Sequence, residues 1–168
     1  GTHNVTQTVT VTILGTNDGP SITVPVVTPT PDLAYIENQG AQVIDSGITL
    51  VDVDDTTGID NVVVAVTSGF VKGDSESGTG GDILGIDGVV SPLNSTALSY
   101  GITGTYVAGA NTGVLTLTGG ADKTAAMFQD VLRTVTFEST SDDLTTNSSQ
   151  AALQERTVTW TVTDVEGT

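Results

Sequence analysis

The run Thr157-Val158-Thr159-Trp160-Thr161-Val162-Thr163-Asp164 alternates without a break. Val158, Trp160 and Val162 fall on one side, and Thr157, Thr159, Thr161 and Thr163 on the other. A period-two alternation of β-branched residues marks a strand with one face buried and one wetted. Residues 4–14 repeat it, with Val5, Gln7, Val9, Val11 and Ile13 against Thr6, Thr8, Thr10 and Thr12. Working outward, further strands are expected over 21–28, 33–37, 42–51, 59–67, 82–87, 101–107, 113–118 and 134–139. Turn residues separate them, as at Asn17-Asp18-Gly19-Pro20, Thr57-Gly58, Ser77-Gly78-Thr79-Gly80-Gly81 and Gly119-Gly120. Many short strands broken by frequent turns predict an all-β protein of the β-sandwich kind.

One segment follows another period. Between Asp122 and Arg133 the apolar residues Ala125, Phe128, Val131 and Leu132 recur at helical spacing. The spacing predicts a short helix over about 122–133, capped by Asp122 and crossing between sheets with Phe128 and Leu132 in the core.

Composition narrows the function. The 168 residues carry a formal charge of −16, with four Lys+Arg against twenty Asp+Glu. Nucleic acid and anionic lipid both need a basic surface, so neither is an expected partner. Acid in such excess repels itself in a compact chain, and bound divalent cations are an economical way to neutralise it. There is no cysteine, and metal can take the place of disulfide staples. No apolar run is long enough to span a membrane, so membrane insertion is not expected.

The acids and amides gather at strand ends. Asn17 and Asp18 lie in Gly15-Thr16-Asn17-Asp18-Gly19-Pro20, Glu37 in Tyr35-Ile36-Glu37-Asn38, and Asp52 and Asp54 in Val51-Asp52-Val53-Asp54-Asp55. Asp164 closes the late strand and Glu155 precedes it. Oxygen donors in such places suit a hard cation, Ca²⁺ above all. The same residues also serve as turn caps without metal, so both readings stand at this point. The loop Asp52–Val63 is not an EF-hand, because its Gly58 falls one place late and its twelfth residue is Val.

The stretch Tyr35-Ile36-Glu37-Asn38-Gln39-Gly40, followed by Thr49-Leu50-Val51-Asp52-Val53-Asp54-Asp55, resembles the cadherin pattern. Together with Phe128–Phe137 and the Thr159–Asp164 run, residues 20–168 resemble the cadherin-like tandem repeats of giant bacterial repeat-in-toxin adhesins, which leave the cell by type I secretion. The resemblance implies an Ig/cadherin-like Greek-key β-sandwich. Residues 1–14 would then be the last strand of a preceding repeat, or the closing strand of this domain. Residues 15–20 would be a calcium-binding linker, and 21–168 the repeat itself. It further implies that Asn17, Asp18, Asp52, Asp54 and Asp164 converge at one pole, with Glu37 and Glu155 at the other, facing the next repeat. Gly15 and Gly19 stand where the cadherin linker has Asp and Asn, so one or two ions per joint are implied instead of three.

On this reading the chain is an extracellular, cell-surface extender that supports adhesion and biofilm formation. Its partners are neighbouring repeats of the same chain and, through other domains, host or surface ligands. The alternative is a sugar- or peptide-binding module of the same adhesin, centred on the Gly/Ser-rich segment 68–100. Aromatics are few: one Trp, three Tyr and three Phe, with Tyr100 and Tyr106 as the platform candidates, though packing in the core or at an edge is expected of both. An enzyme is not expected, since the single histidine, His3, lies outside any motif.

Overall fold

The computed structural model describes residues 1, 3, 18–25, 33–36, 38–53, 58–73, 80–86, 88–89, 93–140 and 155–165. The expected strand 4–14 lies outside the described residues. In chain order the elements are β1 (Ser21–Thr23), β2 (Gln42–Val43), β3 (Thr49–Val51), β4 (Ile59–Ser68), β5 (Asp82–Gly85) and β6 (Thr96–Ala97). They continue with β7 (Thr103–Ala108), β8 (Gly113–Thr118), helix α1 (Ala125–Leu132), β9 (Thr136–Ser139) and β10 (Thr157–Asp164).

These strands form three antiparallel sheets, ordered β10-β4-β8-β7-β6, β2-β9-β5 and β1-β3. Alternation decides what each sheet buries. Val62, Val64 and Val66 of β4 and Leu115 and Leu117 of β8 turn inward. Leu84, Ile86 and Phe137 meet them from the three-stranded sheet, and Ile48 and Leu50 from β3 and the residue before it. Strands in sheets around one shared core, with one short helix among the described residues, are consistent with an all-β sandwich. Val158, Trp160 and Val162 do face this core. They are only partly buried, because β10 pairs with β4 at the end of its sheet's strand order.

The expected single strand over 42–51 is two strands in different sheets. Asp45 Oδ1 accepts the Gly47 N–H at 2.6 Å, an Asx-type turn that breaks the run. Before it, β2 joins β9; after it, β3 joins β1. The triplet Asp45-Ser46-Gly47 was the signal for the break.

The helix forms where its apolar spacing predicts, and Ala125, Phe128, Val131 and Leu132 are buried. Its cap, however, is Thr124, whose hydroxyl accepts the Met127 N–H at 3.4 Å. Asp122 instead sits in the preceding turn and pairs with Lys123. The helix carries the chain from β8 in one sheet to β9 in another, and its side chains trim β3. Gln129 Oε1 accepts the Leu50 N–H at 3.1 Å, and Arg133 Nε donates to the Ile48 carbonyl at 3.0 Å. The approach requires Gly119, because a Cβ there would stand 2.5 Å from the Phe128 ring.

Residues 33–36 are not a strand. Tyr35 acts through its side chain: its hydroxyl donates to the Ser139 carbonyl at 3.2 Å and accepts the Ser139 N–H at 3.0 Å. The β2–β9 ladder runs Gln42↔Phe137 and Val43↔Thr136, and the phenol takes over two residues beyond it, at Ser139. Its ring packs edge-on against Phe137 at 5.0 Å. Ser139 Oγ, by contrast, is buried with no hydrogen-bond partner. Tyr35→Phe should therefore cost about 1–3 kcal/mol in urea unfolding, because it strands two buried main-chain groups. Ser139→Ala should be neutral or stabilising by up to ~1 kcal/mol, since the hydroxyl it removes has no partner to lose.

Candidate functional site

Pairing places Asp164 at the strand end where β4 begins, and Asp52 at the strand end where β1 begins. Asp164 ends β10 opposite Ile59, the first residue of β4, and the Val165 N–H donates to the Gly58 carbonyl at 3.2 Å. Asp52 follows β3, whose last residue Val51 is paired with Ser21 at the start of β1. Asp18 lies just upstream of Ser21. Asp164 is 2 % exposed, Asp52 half-buried and Asp18 exposed, and each has an interaction within the fold. Asp60, which was not among the expected ligands, lies on β4, where its Oδ2 accepts from Asn61 at 2.9 Å.

Asn17, Glu37 and Asp54 lie outside the described residues. Among the described residues, no three of His, Cys, Asp or Glu form a group that could hold a metal ion. Carboxylate oxygens are hard donors of the kind that Ca²⁺ takes. The described carboxylates are not by themselves a finished coordination sphere.

The opposite end of β10 is organised differently. Glu155 is exposed and precedes β10 at the end where Thr157 faces Ser68, about 30 Å from Asp164 by strand rise. Its carbonyl lies 2.2 Å from where a Cβ on Gly69 would stand, and Gly69 has φ +74°, so this corner needs glycine twice over. Tyr35, two residues before Glu37, is also held at this end through Ser139.

The chemistry that sequence reasoning missed is here. Asp82 opens β5 with its side chain wholly buried, and its Oδ2 accepts Arg156 Nε at 2.6 Å. The same oxygen accepts the Val71 N–H at 2.9 Å, and Arg156 Nη2 approaches Oδ1 at 3.5 Å. The Asp82 N–H donates to the Val71 carbonyl at 2.8 Å, and its carbonyl accepts the Tyr106 hydroxyl at 2.9 Å. Burial, and then the Asp82 charge, push the Tyr106 phenol up to about 12. The local sequence Gly81-Asp82-Ile83-Leu84 gives no sign of a buried carboxylate. The signal lay in Arg156, a rare cation opening an apolar strand.

Compared with known proteins, the chain matches no protein-family model, no curated protein and no solved structure.

Removing either member of the buried pair leaves the other charge uncompensated. Asp82→Ala and Arg156→Ala should each cost about 3–5 kcal/mol, and the paired change Asp82→Leu with Arg156→Met should cost less than either, as a double-mutant cycle in urea would read. Alkali gives a second check. With its folded value above the unfolded one of about 10, Tyr106 contributes stability that is complete below pH ~10 and lost as pH rises through about 12. Tyr106→Phe should flatten the stability curve across that window.

Proposed function

We propose that this chain is an extender repeat of a bacterial cell-surface adhesin, with an Ig/cadherin-like Greek-key sandwich whose N-terminal pole binds Ca²⁺. What supports the reading is the buried Asp164 carboxylate at the end of β10, with Asp52 at the end of β3 and Asp18 just before β1 in the chain. A carboxylate that deep needs compensation by hydrogen bonds or positive charge. Asn17 and Asp54, adjacent in the chain to Asp18 and Asp52, would complete the oxygen set, and Glu37 and Glu155 would serve the joint at the far end. Calcium bound there would offset carboxylate repulsion and fix the angle between successive repeats. An array of such units would hold its ligand-binding parts away from the cell and support adhesion and biofilm formation. The resemblance to repeat-in-toxin adhesins supplies the secreted, extracellular setting.

A second reading is a saccharide- or peptide-binding module of the same adhesin. It is favoured by Tyr100, which stands about half exposed on a hairpin tip at the β6 edge of its sheet.

The extender reading is tested by thermal unfolding in Ca²⁺, in Mg²⁺ and in chelator. At a hundredfold excess over Kd, binding to the folded state should add about 2.7 kcal/mol. For a domain of this size that is a rise of roughly 5–10 °C, specific to Ca²⁺. Asp164→Asn and Asp52→Ala should each remove most of the rise. An equal response to Mg²⁺, or no response in either variant or wild type, would defeat the proposal.

A further inference from the structure

The tip of the β6–β7 hairpin holds a backbone conformation that its sequence does not favour. Tyr100 has φ 61° and ψ 9°, and Gly101 follows at φ 72°. The Ile102 N–H donates to the Ser99 carbonyl at 3.3 Å, closing a four-residue turn over these two left-handed residues. That is the geometry of a type I′ turn, whose first central position favours Asn, Asp or Gly. A bulky aromatic there is an outlier. Core burial does not compensate for it, since Tyr100 is 49 % exposed. What holds it is Asp130 on α1, whose Oδ2 accepts the Tyr100 hydroxyl at 2.7 Å. Between hairpin and helix lies an open groove of about 380 Å³, lined by Ser99, Tyr100, Asp130, Val131 and Thr134.

Strain kept in place beside a groove, at an exposed aromatic, is a signature of ligand contact. The strand order puts this groove at the β6 edge of the five-stranded sheet. The Asp164 carboxylate ends the strand at the other edge, four strand spacings or about 19 Å away.

We propose that this groove binds a neutral saccharide. The half-exposed Tyr100 ring offers an apolar face to the C–H face of a pyranose, and Asp130 accepts its hydroxyls. The volume lies within the range of small-molecule sites, roughly 300–1,000 Å³. A net charge of −16 disfavours acidic sugars and phosphates, so among glycans the uncharged ones fit best. The proposal rests on the ligand-binding reading above and not on the calcium joint.

The test uses the full chain in millimolar Ca²⁺ against immobilised neutral oligosaccharides ending in glucose, galactose, mannose or N-acetylhexosamine. The strongest binder is then titrated while backbone amide shifts are followed by NMR. Shifts should concentrate at 99–102 and 130–134. Tyr100→Ala and Asp130→Asn should each weaken binding at least about tenfold, and Tyr100→Phe should fall between them and wild type. Tyr100→Gly is the decisive variant: relieved of its left-handed side chain, it should melt no lower than wild type and bind no sugar. Absence of binding across the panel at millimolar concentration, shifts centred elsewhere, or full affinity in Tyr100→Gly would each overturn the site. A calcium-dependent melting shift is read separately, so failure of the joint and failure of the groove are distinguishable.

Discussion

The Asp82–Arg156 pair is the contact on which the arrangement of the two larger sheets depends. Asp82 begins an edge strand of the three-stranded sheet, and Arg156 immediately precedes the edge strand of the five-stranded one. Their ion pair joins the sheets at one end, with the Asp82 main chain already committed to Val71 and Tyr106. Two desolvated charges need this density of hydrogen bonds, or burial would cost more than their attraction returns. The neighbouring Tyr35–Ser139 contact completes the same end by letting a phenol replace a strand partner.

This lock also bears on the acid excess. Only four Lys and Arg are present, and three are engaged within the fold: Arg156 with Asp82, Arg133 with the Ile48 carbonyl, and Lys123 with Asp122. The structure thus uses these cations within the fold: Arg156 at the Asp82 end, and Lys123 at the other, where its carbonyl accepts the Ile59 N–H beside the end of β10. The acid excess left over is the physical motive for proposing an external cation.

Much of the fold was legible because alternation is a local property. The faces of β4, β8 and β10 follow from Val/Thr periodicity, and α1 follows from the spacing of Ala125, Phe128, Val131 and Leu132. Boundaries were less legible. The Asx turn at Asp45 divides a run that periodicity joins, and the cap moves from Asp122 to Thr124 because only the latter's hydroxyl meets a free helical N–H. Tyr35 reads as a strand residue yet works through its hydroxyl. Asp164 ends β10 where β4 begins and Asp52 follows β3, strand ends that the alternation marks, while Asn17, Glu37 and Asp54 lie outside the described residues. Asp60 on β4, and Asp82 on β5, carried no local mark.

By itself the sequence determined which residues could be strands, which single segment could be a helix, and that the surface would be acidic. Each of these depends on neighbours two to four residues apart, where backbone geometry dictates which side chains share a face. Only the tertiary structure decided that Asp82 is buried against a cation 74 residues away, that Tyr35 reaches 104 residues on to Ser139, and that Tyr100 is held left-handed by Asp130. These are pairings between residues far apart in the chain, settled by how the sheets stack and which polar groups are then left needing partners.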